Sequence, residues 1–192
     1  MYEEWQDVLD FWFGAPDSSQ YGQARAEWFL KSDAFDAAIR ARFASKYEAA
    51  VRGELAHWRA QPRSALALVI VLDQFPRNMY RGTARAFAAD MLALDVARHM
   101  VAQGYDQAFR PLERHFVYLP FEHAEDRAMQ RESVRLFETL RDDPQSAEAI
   151  DYAYRHRDII ERFGRFPHRN AILGRSSTSE EVEFLQQPGS SF

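Results

Sequence analysis

The sequence predicts an all-α fold, organised as a single-domain array of antiparallel helical hairpins over residues 1–192. Three observations predict this class. Apolar residues recur every three or four positions along most of the chain, as they do on the buried face of a helix. The one β-branched apolar run, residues 66–72, has no second run that could serve as a partner strand. Long helical stretches also arrive in pairs at an irregular spacing of about 40 residues, which favours a helical array.

Composition narrows the functional classes. A chain of 192 residues with 46% hydrophobic and 28% charged residues is typical of a folded domain with a substantial core. The net charge of −5 argues against a general nucleic-acid binder. The absence of cysteine excludes disulfides and thiolate chemistry. Because residues 1–7 are acidic and no apolar run approaches transmembrane length, we expect a cytoplasmic protein without a membrane partner.

The first third of the chain predicts helices separated by glycine and proline. Apolar spacing predicts a helix over about 3–13, a short helical turn at 24–31 and a long helix over about 32–52. The long helix repeats apolar residues every four positions before Gly53, namely Phe35, Ile39, Phe43 and Tyr47. A short helical piece over 54–60 follows.

The most apolar stretch predicts a central helix from Pro62 to about Gln74, covered by other elements on most sides. A polar, cationic turn follows it. Since the residue before proline disfavours helical geometry, we expect Phe75 to leave the helix before Pro76.

The rest of the chain also predicts helices with recognisable ends. We expect Thr83 to cap a helix over 84–103, a helix from Pro111 to stop before Pro120, and a charged helix over 122–141. Ser146 is expected to cap a helix ending at 163, and residues 164–177 are irregular. A capping box at 178–181 starts a short helix, so residues 176–192 form a C-terminal capping helix and tail.

One pattern occurs twice. Residues 73–78, Asp-Gln-Phe-Pro-Arg-Asn, and residues 164–170, Gly-Arg-Phe-Pro-His-Arg-Asn, are here named the first and second elbow. If the elbows meet, arginines from both converge, and such a cluster needs acidic partners or a bound anion. The guanidinium fork suits carboxylate or phosphate oxygens. The alternative is that carboxylates neutralise the arginines in structural ion pairs, the candidates being Asp73, Glu122, Asp126 and Glu161.

Histidines form a second group of candidates. His115, His123 and His156 could share a pocket, where imidazoles suit proton transfer, or could be hydrogen-bonded core residues. A metal site is not expected, because His123 points about 100° away from the face that Glu122 and Asp126 share. No cofactor-binding motif occurs either.

These patterns predict a polar pocket that binds an anionic small molecule or an acidic peptide group. Its predicted residues are Asp73, Gln74, Arg77, Asn78, Arg81, His115, Glu122, His123, His156, Arg165, His168, Arg169 and Asn170. Two alternatives stay open. One is a hydrolase-like or isomerase-like enzyme that uses a histidine with Glu122 or Glu161 as acid and base. The other is a scaffold for protein–protein interaction with an extended concave surface.

Four segments, at 8–14, 72–82, 119–126 and 164–170, resemble a bacterial family, the domain-of-unknown-function family 924. The resemblance extends over nearly the whole chain. It implies an all-helical fold like that of tetratricopeptide repeats. It implies no activity and assigns no role to any residue.

Overall fold

The structure is a computed structural model that describes residues 3–191, and these residues contain helices, turns and irregular segments but no strand. The predicted all-α class is confirmed. The tetratricopeptide-like arrangement and the single-domain extent stay predictions, and residues 1, 2 and 192 lie outside the described part. No helix within 3–191 combines the length and hydropathy that crossing a bilayer requires.

Residues 3–79 form four α-helices. They are α1 (Glu4–Phe13), α2 (Asp33–Val51), α3 (Pro62–Val69) and α4 (Phe75–Met79). Short 3-10 turns cover Ala26–Trp28 and Ala56–Ala60. The predicted ends of α2 are confirmed, because Ser32 accepts a hydrogen bond from the Phe35 N–H and the helix stops next to Gly53.

The remainder forms five more α-helices among the described residues. They are α5 (Asp90–Ala102), α6 (Pro111–Glu122), α7 (Arg127–Glu138), α8 (Ala147–Phe163) and α9 (Ser179–Leu185). Further 3-10 turns cover Ala84–Phe87, Tyr105–Ala108, Pro144–Ser146 and Pro167–Arg169. The predicted capping box is confirmed, since Thr178 and Glu181 bond each other's backbone N–H.

Several predicted helix ends are wrong. Pro120 lies inside α6, which continues to Glu122 because its last turns are buried on both sides of the proline. The predicted helix over 122–141 is divided by a turn, after which the Asp126 side chain caps α7. Thr83 and Ser146 provide no side-chain cap, and the Ser146 hydroxyl donates to Asp143 instead.

The prediction that Phe75 leaves the helix is also wrong. Residues Ile70–Gln74 form a π-helical turn, and Phe75 keeps helical angles of φ −59° and ψ −43°. The Phe75 N–H bonds the carbonyl of Ile70, five residues back. This wider turn relieves the clash that a proline ring makes with an ordinary helix, so Pro76 is accommodated within α4.

The central helix, α3 with the π-turn and α4, is the centre of the packing. Residues 65–75 are almost completely buried, and the central helix contacts α1, α2, α5 and α6. Beyond it, α6 packs on α7 and α7 on α8. A smaller apolar cluster of Ile159, Ile160 and Phe166 joins the end of α8 to the second elbow. This order of packing carries the second elbow back to the end of the central helix.

Candidate functional site

The two elbows are neighbours in the structure. Arg77, in the first elbow, donates to both oxygens of Asp90 at 2.9 and 3.0 Å. Arg169, in the second elbow, lies 3.4 Å from Asp90 Oδ2. The shared carboxylate at the start of α5 therefore joins two segments that are far apart in sequence.

Asp73 holds the first elbow against the end of α6. Its side chain is fully buried and accepts hydrogen bonds from His123 Nδ1 at 2.8 Å and from Gln74 at 2.6 Å. Arg77 Nη1 lies 3.3 Å from the same carboxylate. Burial acts to raise the pKa of Asp73, but Arg77 and His123 outweigh it and hold that pKa below its usual range. Asp73 is thus a charged anchor inside the protein.

Arg169 is the most enclosed cation of the site. Its guanidinium carbon lies between two rings, 4.6 Å from the centre of Phe87 and 4.5 Å from that of Phe166. Nη1 donates to the His123 carbonyl at 3.1 Å, whereas the buried Nε has no hydrogen-bond partner among residues 3–191. Burial, followed by the charge of Arg77, lowers the pKa of Arg169 to about 10. The side chain is therefore still protonated at neutral pH.

Glu122 and His156 form the inner wall. Glu122 Oε1 lies 3.3 Å from His156 Nδ1, and Glu122 Oε2 is buried without a hydrogen-bond partner in the described chain. Burial and the charge of Asp73 raise the pKa of Glu122 to about 8. Burial lowers the pKa of His156 to about 3. At neutral pH Glu122 is mostly protonated and His156 is neutral, so this wall carries little charge.

The structure brings about half of the predicted residues together. The site at the junction of the elbows contains Asp73, Gln74, Arg77, Glu122, His123, His156 and Arg169. His168 lies beside it, with its ring centre 5.6 Å from that of Phe166, and burial lowers its pKa to about 4.

The other predicted residues have separate partners. Asn78 and Arg81 both bind Asp36, and Arg165 binds Glu181. Asn170 contacts Ser177 and Arg175. His115 bonds the Ser146 hydroxyl at 2.8 Å and lies two helical turns from Glu122, about 10 Å along α6. It does not join the other histidines.

The expected set of neutralising carboxylates was largely wrong. Of the four, only Asp73 pairs with an elbow arginine, because Glu161 binds Arg127 and Arg131 while Asp126 caps α7. The sequence patterns did not indicate two acids that contact the elbows. One is Asp90, and the other is Glu125, which accepts from the Phe166 N–H at 2.7 Å and pairs with Arg175. Sequence spacing gives no sign of them, because Asp90 is 13 residues from Arg77 and 79 from Arg169, and Glu125 is 41 residues from Phe166, all beyond the three- and four-residue spacings of one helix face.

The chemistry available here is that of a protonated guanidinium, a neutral carboxylic acid and imidazoles of lowered pKa. Among the residues that the structure describes, no group of three or more histidine and acidic side chains could hold a metal ion. The site has donors for an anion and groups that exchange protons.

The chain resembles one solved structure along almost its full length. That structure is the protein of unknown function ATU0120 from Agrobacterium tumefaciens, with a TM-score of 0.83 and 43% sequence identity over 95% of this chain and 96% of that one. No curated protein matches the chain. The family model described as bacterial protein of unknown function (DUF924) matches residues 8–189. The chain therefore belongs to this bacterial family.

Proposed function

We propose that this protein binds a small anionic ligand, through a carboxylate or phosphate group, at Arg169 where the two elbows meet. An acidic peptide could present the same carboxylate. The observation that supports the proposal is the state of Arg169, which is 6% exposed and leaves its Nε–H without an acceptor in the described residues. A buried donor without an acceptor costs free energy, and a ligand oxygen would remove that cost.

The charges around Arg169 support an anion rather than a neutral ligand. Both oxygens of Asp90 accept hydrogen bonds from Arg77, and the contact of Arg169 with Asp90 is longer, at 3.4 Å. Burial, followed by the charge of Arg77, lowers the pKa of Arg169, and the nearby carboxylates do not offset these two effects. A bound oxyanion would supply the missing negative charge and could accept from two nitrogens of the fork.

The proposed site uses fewer arginines than the sequence suggested. Arg77 is engaged by Asp73 and Asp90, and Arg81 and Arg165 are engaged by Asp36 and Glu181. Arg169 is thus the one elbow guanidinium on which the proposal rests. The two rings that enclose it keep its charge poorly hydrated, which strengthens its interaction with an anion.

Thermal unfolding with inorganic phosphate and with malonate tests the proposal. A ligand at 100 times its dissociation constant stabilises the folded state by about 2.7 kcal/mol, which is a measurable shift in melting temperature. Since phosphate also stabilises proteins non-specifically, each titration is compared with sodium chloride at equal ionic strength. We expect a saturable shift with at least one of the two anions.

Two variants decide whether Arg169 causes the shift. We expect Arg169→Gln to abolish it, while Arg155→Gln, at an exposed arginine of α8 paired with Asp151, should keep it. A saturable shift that persists in Arg169→Gln, or no saturable shift in wild type, contradicts the proposal. If Arg169→Gln does not fold, Arg169→Lys keeps the charge and removes the fork, and the shift should be reduced.

A second candidate function is acid–base catalysis, and the Asp73–His123 pair favours it. Asp73 accepts from His123 Nδ1, so the other ring nitrogen of a neutral His123 carries a lone pair. Glu122, protonated at neutral pH, could return a proton. Arg169 donates to the His123 carbonyl and would hold an anionic substrate beside this base.

Hydrolysis of p-nitrophenyl acetate and p-nitrophenyl phosphate tests the second candidate. We expect a rate above background that His123→Asn and Arg169→Gln both remove, while His57→Asn, at an exposed histidine, leaves it unchanged. Equal rates in all three variants would place the activity outside this site.

A further inference from the structure

A separate cavity of about 220 Å³ lies between the end of α5, the turn at Tyr105–Ala108, α6 and α7. Its polar walls are provided by Asp106, Gln107, Tyr118, Arg135 and Thr139. It shares none of these residues with the Arg169 site. This volume has room for a small organic molecule rather than a single water.

Asp106 gives the cavity its strongest acceptor. The side chain is 3% exposed, and its Oδ2 accepts from the Tyr118 hydroxyl at 2.8 Å and from Gln107 Nε2 at 2.6 Å. No donor among the described residues reaches Oδ1. A buried carboxylate has room for about four hydrogen bonds, so one side of Asp106 is held firmly and the other can bind a ligand.

The charges of the cavity are balanced. Arg114 lies 3.9 Å from Asp106 and donates to Tyr118 and to Thr139, both at 2.9 Å. Arg135 binds Glu132 through two nitrogens, at 2.8 and 2.6 Å. Two acids thus face two arginines. A charged ligand would lose its hydration without gaining a partner of opposite charge, which disfavours ammonium compounds and anions.

The remaining groups suit hydroxyls. Asp106 Oδ1 can accept from a donor, while Arg135 Nη1, which Glu132 leaves free of hydrogen bonds in the described chain, belongs to a 58% exposed side chain and can donate to a ligand oxygen in place of water. A hydroxyl group provides both roles. Val101 and Leu136 add an apolar wall against which the carbon atoms of such a ligand would pack.

We propose that this cavity binds a small neutral polyhydroxyl compound, with one hydroxyl donating to Asp106 Oδ1 and another accepting from Arg135. The proposal is independent of the anion site, because the two sites have no residue in common. A chain of hydrogen bonds holds the Asp106 side chain in position, and it runs from Thr139 through Arg114 and Tyr118.

Titration of the ¹⁵N-labelled protein with ribose, glycerol and myo-inositol tests the proposal, with ethanolamine and inorganic phosphate as charged comparisons. Amide chemical shifts are the readout, because polyols raise melting temperatures non-specifically. We expect at least one polyol to give saturable shifts confined to residues 101–108 and 135–139. Asp106→Asn should weaken that binding at least tenfold, whereas Asp151→Asn, at an exposed acid of α8, should not change it.

Several outcomes overturn the proposal. They are the absence of saturable shifts with all three polyols, equal affinity in Asp106→Asn, and tighter binding of ethanolamine or phosphate at the same amides. If Asp106→Asn does not fold, Val101→Phe fills the cavity from its apolar wall without touching the hydrogen-bond chain. It must then abolish the shifts, and their persistence would also overturn the proposal.

Discussion

Arg77 and Arg169, one from each elbow, bind the same carboxylate, that of Asp90. This shared ion pair explains how a net acidic protein keeps two guanidinium groups close together at the end of its central helix. Asp90 is the carboxylate that both arginines share, and Arg77 has a further contact with Asp73.

Asp90→Asn should destabilise the protein by about 2–3 kcal/mol, because it removes a partly buried partner from two arginines. Urea unfolding measures the change. Added phosphate should restore more stability to Asp90→Asn than to wild type, since the variant lacks an anion that the ligand can replace. Asp151→Asn is the matched control at an exposed ion pair. An equal response of the variant and wild type to phosphate would contradict the anion site.

Glu122→Gln should change the dependence of stability on pH. The folded-state pKa of Glu122 is about 8, against an ordinary value of 4.5. Below pH 4.5 both the folded and the unfolded state hold the proton. Between pH 4.5 and 8 the unfolded chain releases a proton that the folded chain keeps, so the free energy of unfolding contributed by this group falls as pH rises.

The variant removes this loss. The free energy of unfolding of the variant minus that of wild type should therefore be about 2–4 kcal/mol larger at pH 7 than at pH 4.5. Urea unfolding at the two pH values measures it. Glu183→Gln, at an exposed glutamate, should show no such trend. A constant difference between Glu122→Gln and wild type across this range would show that Glu122 is ionised in the folded protein.

Asp73→Asn should cost about 3–5 kcal/mol, because it removes a fully buried carboxylate that is one of the two acids paired with Arg77. Since the folded-state pKa of Asp73 is depressed, its contribution is present above the unfolded pKa and is lost only as pH falls through the folded value. The difference between variant and wild type should therefore be constant from pH 5 to 7.

The same aspartate fixes the tautomer of His123. In wild type, ¹⁵N chemical shifts of the imidazole should show the proton on Nδ1, which faces Asp73. In Asp73→Asn we expect a mixture of tautomers. A proton on the other nitrogen in wild type would remove the basis for the second candidate function.

Glu125→Gln should loosen the second elbow. Glu125 accepts from the Phe166 N–H and binds Arg175 through both oxygens, at 2.5 and 2.8 Å. We expect a loss of about 1–3 kcal/mol and a weaker response to phosphate, because Phe166 covers one face of Arg169. Glu138→Gln, which breaks a more exposed pair with Arg141, should leave the phosphate response intact.

Local sequence patterns were sufficient for much of the fold. The four-residue repeat of α2, its Ser32 cap and the capping box of α9 depend on residues close together in the chain, and the structure has them as predicted. The ends at Phe75 and Pro120 were predicted wrongly for one physical reason. Burial of the surrounding turns outweighs the local preference of a residue near proline, and the local pattern contains no measure of burial.

The candidate site was predictable in part for a related reason. The elbows share a visible motif, so the approach of Arg77 and Arg169 could be expected. Their acid, Asp90, lies in an ordinary helical stretch and becomes relevant only once α5 packs against the central helix. His115 was placed with the other histidines because residue type was the only criterion, whereas its position on α6 decides its neighbours.

The π-helical turn at Ile70–Gln74 sets the rotational phase of everything that follows it. Such a turn contains one residue more than an α-helical turn, and each residue corresponds to about 100° around the axis. If residues 70–74 wound as a regular α-helix with the same number of residues, Arg77 would be rotated away from Asp90 by about that angle. The winding of this short segment, as much as the identity of its side chains, therefore determines whether the two arginines can meet.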